Sequence, residues 1–255
     1  MGFWVWVRVI WRSSALILWT TALFALRLCA MLLAPISARA DEWCRRKLLR
    51  IWAVGAAAII RMRVTVEGRP PKPPYFLVTN HLTYLDIVLL SRTAGCVFVS
   101  RADVRDLKIF GFMARMLNTI FITRENIRDT YRVNEQIANT MNKGYGVHMF
   151  AESRISQDAQ VHPFKPPLLE PAVRKGVPVH YAAISYSTAE GSPRARDVVV
   201  WKEPQTLGQN MLQVLRLPKL SAVIRFGDTP IRGTDRKELA QKLYEAVRDR
   251  FTPVG

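Results

Sequence analysis

The chain has 255 residues and a mass of 29.1 kDa, enough for one compact domain with at most a small appendage. Its 37 Lys and Arg against 20 Asp and Glu leave a formal charge of +17, which excludes an acidic or neutral module and favours anionic partners: nucleic acid, an anionic membrane surface, a phosphorylated small molecule or an acidic carrier protein. With 49% hydrophobic and 22% charged residues it is too apolar for disorder and too mixed for a protein of many membrane spans.

The first element in chain order is the apolar run 13–36, in which Arg27 is the single charge and near whose start stand Trp4, Trp6, Trp11 and Trp19. Its length suits a membrane-associated helix with interfacial anchors. A secretory signal peptide and a buried hairpin of a soluble protein are the competing readings. Arg39, Arg45, Arg46, Lys47 and Arg50 follow, and then the apolar stretch 51–60, which reads as a second helix lying against the first or in the membrane surface. More basic residues lie after the first apolar segment than before it, so the positive-inside rule puts the bulk of the chain on the cytoplasmic side of an inner or cytoplasmic membrane. Cys29, Cys44 and Cys96 are too few and too far apart for a disulfide framework and match no metal pattern, which points to a reducing compartment.

From residue 61 short apolar runs alternate with amphipathic stretches, the pattern of an α/β fold with a mixed, largely parallel sheet flanked by helices. Strands are expected at 62–66, 75–79, 96–99, 119–122, 146–150, 178–186 and 221–226, with 197–201 a further candidate. Residues 131–143 space Val133, Ile137 and Met141 at helical intervals and stop before Gly144, a C-terminal cap. Residues 235–251 offer Asp235 and Glu238 as a capping pair and Leu239, Leu243, Val247 and Phe251 as one apolar face.

Chemistry is expected where strands end. Directly after the 75–79 strand, Asn80-His81-Leu82-Thr83-Tyr84-Leu85-Asp86 sets a His five positions before an Asp. A neutral imidazole can take a proton from a hydroxyl near pH 7, and a carboxylate can hold its tautomer and stabilise the imidazolium. Five positions miss the same-face helical spacings, so the pair can meet only across a turn.

Further blocks follow in order: Ile120-Phe121-Ile122-Thr123-Arg124, then Phe150-Ala151-Glu152-Ser153-Arg154-Ile155-Ser156 with Pro163-Phe164-Lys165, then Val177-Pro178-Val179. With these the chain resembles the lysophospholipid acyltransferase family, typified by 1-acylglycerol-3-phosphate acyltransferases, from about residue 43 to the end. That family's blocks are Asn-His-x-x-x-x-Asp, an apolar strand ending in Arg, Phe-Pro-Glu-Gly-Thr-Arg followed by Pro-Phe-Lys, and a strand entered through Pro. The third block departs: without a gap, Ala151 replaces Pro, Ser153 replaces Gly and Ile155 falls at the Arg position, whereas a one-residue deletion returns Arg154 to that role.

The apolar segments and their flanking charges read as membrane-anchoring helices over 1–60, and the resemblance implies an acyltransferase domain over 61–255. It implies that His81 deprotonates a lysolipid hydroxyl, that Asp86 orients His81, and that Arg124 holds an anionic head group. Asn80, Glu152, Ser153, Arg154 and Lys165 are the other substrate-binding candidates. No cofactor or metal is implied; acyl-CoA or acyl-carrier protein is the co-substrate. The expected acceptor is 1-acyl-glycerol-3-phosphate, giving phosphatidate, in phospholipid biosynthesis at an anionic membrane surface. Lyso-ornithine lipid is the alternative acceptor, and a non-catalytic lipid-binding member is the alternative from another class. A nucleic-acid partner is not expected, because no recognition motif accompanies the charge and the apolar N-terminus has no use there.

Overall fold

The computed structural model describes residues 2–32, 35–123 and 126–254. Helices α1 (Phe3–Met31) and α2 (Ala38–Ile59) lead into β1 (Met62–Glu67), β2 (Tyr75–Thr79), α3 (Leu85–Thr93) and β3 (Val97–Arg101). Next come α4 (Ala102–Asp106), α5 (Lys108–Met116), β4 (Ile120–Ile122), α6 (Ile127–Asn142), β5 (Gly146–Phe150), α7 (Glu170–Lys175) and β6 (Val179–Thr188). The chain closes with α8 (Ala195–Val198), α9 (Leu207–Arg216), β7 (Leu220–Phe226) and α10 (Arg236–Arg250).

The seven strands form one sheet in the order β1-β7-β6-β2-β5-β3-β4. Among these described strands β6 pairs antiparallel with β7 and every other neighbouring pair is parallel, so the sheet is mixed and largely parallel as expected. Its central strand β2 is buried along its whole length, which is why YFLVT reads as an unbroken apolar run rather than an alternation. One face packs on α2, α3, α8 and α9 through Leu49, Ala53, Leu89, Ala195 and Val214. The other packs on α6, α7 and α10 through Val133, Ile137, Ala172, Leu239 and Leu243.

Two helical expectations hold at the level of caps. α6 stops at Asn142, with Gly144 two positions on at φ +84°. Asp235 caps α10 by accepting from the backbone N–H of Lys237 and Glu238. One expectation fails: 197–201 is not a strand but the end of α8 and a following loop. Its apolar residues Val199 and Val200 are buried in the core beside α9, where Asn210 donates to the carbonyls of Val198 and Val200, so burial without sheet pairing explains the apolar run.

α2 is a single helix that contains both the basic cluster and the apolar stretch, and its Leu49, Ala53, Ala56 and Ala57 belong to the same core as the sheet. α1 is long and apolar enough to cross a membrane, yet one side of it is tied down along its length. Near its start the buried Arg12 guanidinium donates to the carbonyls of Leu215, Leu217 and Pro218 at the end of α9, and Arg8 donates to Arg216 O. Near its end Arg27 pairs with Asp41 in the first turn of α2. Between these ties Trp19 donates to Trp52 O at 3.1 Å and lies on Gly55, where an added Cβ would meet the indole at 2.3 Å. Away from these ties Ile10, Trp11, Ile17 and Leu18 are exposed on the other side, and Trp4 and Leu26 are exposed as well.

Candidate active site

Because β2, β5, β3 and β4 run parallel, their C-terminal ends share one edge of the sheet, the edge at which open α/β sheets gather their ligands. The loop after β2 carries His81, and the loop after β5 carries Glu152. Thr79 stands opposite Phe150 in the register of β2 and β5, so the two loops leave the sheet side by side.

The backbone turns between β2 and α3, and His81 Nδ1 reaches Asp86 Oδ2 at 2.8 Å. Asp86 is fully buried, and among the described residues its further hydrogen bonds are with donors: Leu82 N–H at 2.7 Å and Thr83 N–H at 3.1 Å on Oδ2, and the Tyr186 hydroxyl at 2.7 Å on Oδ1. A carboxylate that only accepts holds the Nδ1–H tautomer of His81 and leaves the Nε2 lone pair for a substrate. The imidazole stacks on Phe150, with centroids 3.6 Å apart and planes 12° from parallel. Its turn is tied from two sides, by Ser156 N–H to His81 O at 2.8 Å and by Trp201 N–H to Leu82 O at 3.2 Å.

Asn80 is fully buried, and its amide is occupied at both ends by Ile184 of β6: it donates to the carbonyl at 2.9 Å and accepts the N–H at 2.8 Å. It therefore locks β2 to β6 beside the dyad rather than reaching outward. Glu152 is buried, and neither carboxyl oxygen has a hydrogen-bond partner among the described residues. Burial pushes this carboxyl up to about 9; the backbone at His162 and His81 opposes the shift but makes no well-formed hydrogen bond to either oxygen. At neutral pH Glu152 is an uncharged acid.

Ser153 has φ +76°, a left-handed backbone that glycine adopts at little cost and serine does not. That conformation matches Ser153 to the family's glycine, whether Arg154 or Ile155 stands at its arginine. Arg154 and Lys165 are exposed; the Lys165 N–H bonds Ala151 O at 2.8 Å and fixes the return of the loop. Arg124 lies outside the described residues. A cavity of about 260 Å³ sits beside edge strand β4, three strands from β2, with Arg105, Asp129 and Arg132 among its walls. Arg132 and the Thr123 N–H hold the Asp129 carboxyl below the usual carboxylate range. The cavity is lined by residues of α4, β4 with its flanking Thr119 and Thr123, and α6, and not by the dyad.

Sequence reasoning named none of Tyr186, Phe150 and His148 as a site residue. His148 is fully buried; the Thr79 hydroxyl donates to Asn80 O, so His148 Nε2–H donates to Thr79 Oγ1 at 3.0 Å, and desolvation keeps the ring well below its ordinary value and uncharged. It meets Phe150 in a T-shaped contact, with ring centroids 4.5 Å apart. No local signal marks Tyr186, because its partner is 100 positions away. His162 pairs with Asp158 at 2.8 Å on the exposed part of the third-block loop.

Residues 61–185 match the family model described as Acyltransferase. The lyso-ornithine lipid O-acyltransferase of Pseudomonas aeruginosa is 31% identical over 205 residues, covering 80% of this chain and 78% of that protein. The 1-acyl-sn-glycerol-3-phosphate acyltransferase of Neisseria gonorrhoeae is 27% identical over 82% of this chain and 83% of its own length. The crystal structure of the 1-acyl-sn-glycerophosphate acyltransferase PlsC from Thermotoga maritima superposes with a TM-score of 0.63 at 19% identity, over 93% of this chain and 95% of that one, and so shares the fold. Together with the ordered motif blocks, these matches place the chain in the acyltransferase family, among the enzymes of the lysophospholipid type.

Proposed function

We propose that this acyltransferase moves a fatty acyl group from acyl-CoA or acyl-carrier protein to the free hydroxyl of a lysolipid at a membrane surface, and that the lysolipid is a lyso-ornithine lipid. The observation that carries the chemistry is the 2.8 Å bond between His81 Nδ1 and the buried Asp86, on an imidazole that is 14% exposed. His81 Nε2 takes the hydroxyl proton as the oxygen attacks the thioester carbonyl carbon. The new C–O bond forms, the tetrahedral adduct collapses with cleavage of C–S, and the imidazolium returns its proton to the departing thiolate. The products are an ester and a free thiol, with no acyl-enzyme.

Two observations support the amino-lipid acceptor. The third block, Phe150-Ala151-Glu152-Ser153-Arg154-Ile155, departs from the family's Phe-Pro-Glu-Gly-Thr-Arg around the arginine suited to a phosphate, so the phosphate contact is altered here. The relative at 31% identity is a lyso-ornithine lipid O-acyltransferase, whereas the gonococcal 1-acyl-sn-glycerol-3-phosphate acyltransferase stands at 27%. The second reading, acylation of 1-acyl-glycerol-3-phosphate, is favoured by the second-block Arg124. The test offers labelled acyl-CoA and acyl-carrier protein with both acceptors in parallel, using His81→Ala as the blank. Product from lyso-ornithine lipid alone, lost in the blank, is expected. Phosphatidate as the main product overturns the head group, and full turnover by folded His81→Ala removes His81 from the mechanism.

The ties of Arg12 and Arg27 to the protein, with an apolar face left outward, support a helix α1 that lies in one leaflet rather than crossing the bilayer. The positive charge adds attraction to anionic lipid. Flotation with anionic vesicles that survives high salt is expected, because the apolar contact is not screened; complete release by salt would leave only electrostatic attachment.

A further inference from the structure

We infer that Tyr186 is a positioning residue of the dyad: by donating its hydroxyl to Asp86 Oδ1 it fixes the rotation of that carboxylate and limits how strongly Asp86 draws a proton onto His81. The inference rests on the proposed role of His81 as the base.

The two oxygens of Asp86 are loaded unequally. Oδ2 takes the N–H of Leu82 at 2.7 Å, the N–H of Thr83 at 3.1 Å and His81 Nδ1 at 2.8 Å. Oδ1 has one partner among the described residues, the Tyr186 hydroxyl at 2.7 Å. The donors on Oδ2 all belong to the same turn as Asp86 and move with it, whereas Tyr186 belongs to β6 and ties the carboxylate to the sheet. β6 is held against sliding, because Asn80 closes two hydrogen bonds on Ile184, two positions before Tyr186 and on the same face. Asp86 is 0% and Tyr186 2% exposed, so no bulk water stands ready to replace the phenol.

A phenol donating to a carboxylate disperses its negative charge and so weakens its hold on a neighbouring imidazolium. Without that donor the imidazolium survives to higher pH, and the free base appears later. The other titratable groups facing the pair are Tyr84 from the turn, His148 from β5 and Glu152 from the loop after β5. Burial keeps all three uncharged near neutrality, raising Tyr84, lowering His148 and raising Glu152 to about 9. The acid limb of the pH profile therefore reports His81.

The experiment is the pH dependence of kcat/KM for the full chain carrying Tyr186→Phe, which keeps the ring. The acid limb is expected to move upward by about 0.5–1 pH unit, with kcat at pH 7 down roughly tenfold and KM little changed. Placing 3-fluorotyrosine at position 186 keeps the shape, improves the donor and should move the limb downward. A ¹⁵N NMR titration of the His81 ring reads the same displacement without turnover. Profiles for both variants that superimpose on the unmodified enzyme, while His81→Ala is inactive, overturn the inference alone. An active His81→Ala overturns the base assignment beneath it. If Tyr186→Phe does not fold, the fluorotyrosine form decides by the same criterion.

Discussion

Two carboxyl groups lie buried at the same edge of the sheet, one in each of two adjacent loops, and their surroundings are opposite. Asp86, after β2, accepts from two backbone amides, a phenol and an imidazole. Glu152, after β5, has no hydrogen-bond partner among the described residues, and desolvation pushes it up to about 9. Two buried carboxyl groups therefore differ in what compensates their burial, donors in one case and none among the described residues in the other. One loop thus holds a carboxyl group surrounded by donors that orient a base, and the other a carboxyl group whose proton burial holds on, two different roles for the same functional group.

The same chemical change at both positions sharpens the contrast. Asp86→Asn keeps the shape but replaces an acceptor oxygen by an amide that faces donors, and it removes the partner of any imidazolium. Turnover should fall about 10³-fold or more in steady-state assays, and urea unfolding at pH 7 should show a loss of about 2–4 kcal/mol. Retained activity would mean that the four donors are structural only.

Glu152→Gln should act the other way. The folded-state value of about 9 lies above the ordinary 4.5, so the native protein holds a proton that the unfolded chain has lost. The contribution of this group is complete below about pH 4.5 and drains away as pH rises toward 9, with a slope of at most about 1.4 kcal/mol per pH unit. Urea melts between pH 6 and 8.5 should therefore flatten in Glu152→Gln; an unchanged slope would show that Glu152 is ionised in the fold.

The smallest effect concerns the loop that holds Glu152. Ser153 has a left-handed backbone, so Ser153→Gly should stabilise the chain by about 1 kcal/mol, seen as a rise of a few degrees in Tm. Destabilisation instead would mean that the serine side chain contributes more than its strain costs.

Much of the architecture was legible because its signals are local. Apolar runs marked all seven strands to within a few residues, Gly144 marked the end of α6, and Asp235 marked the start of α10. The five-position interval between His81 and Asp86 demanded a turn, and the chain turns there. The same logic misread 197–201, since an apolar run buried between α9 and the sheet looks like a strand until its hydrogen-bond partners are known. Arg12 and Arg27 read as charges at the border of and within an apolar segment, but both end on protein groups: carbonyls at the end of α9 and the Asp41 carboxylate.

By itself the sequence determined the order of strands and helices, the apolar character of α1, the dyad's residues and the family's blocks, because propensity, periodicity and motif spacing are properties of neighbouring residues. Only the tertiary structure decided that β2 lies between β5 and β6. That adjacency brings Tyr186 to Asp86 from 100 positions away, lays Phe150 against His81 and buries Glu152 without a donor among the described residues. Charge states in a buried site depend on desolvation and on which dipoles converge, and both are set by strand order rather than by chain order.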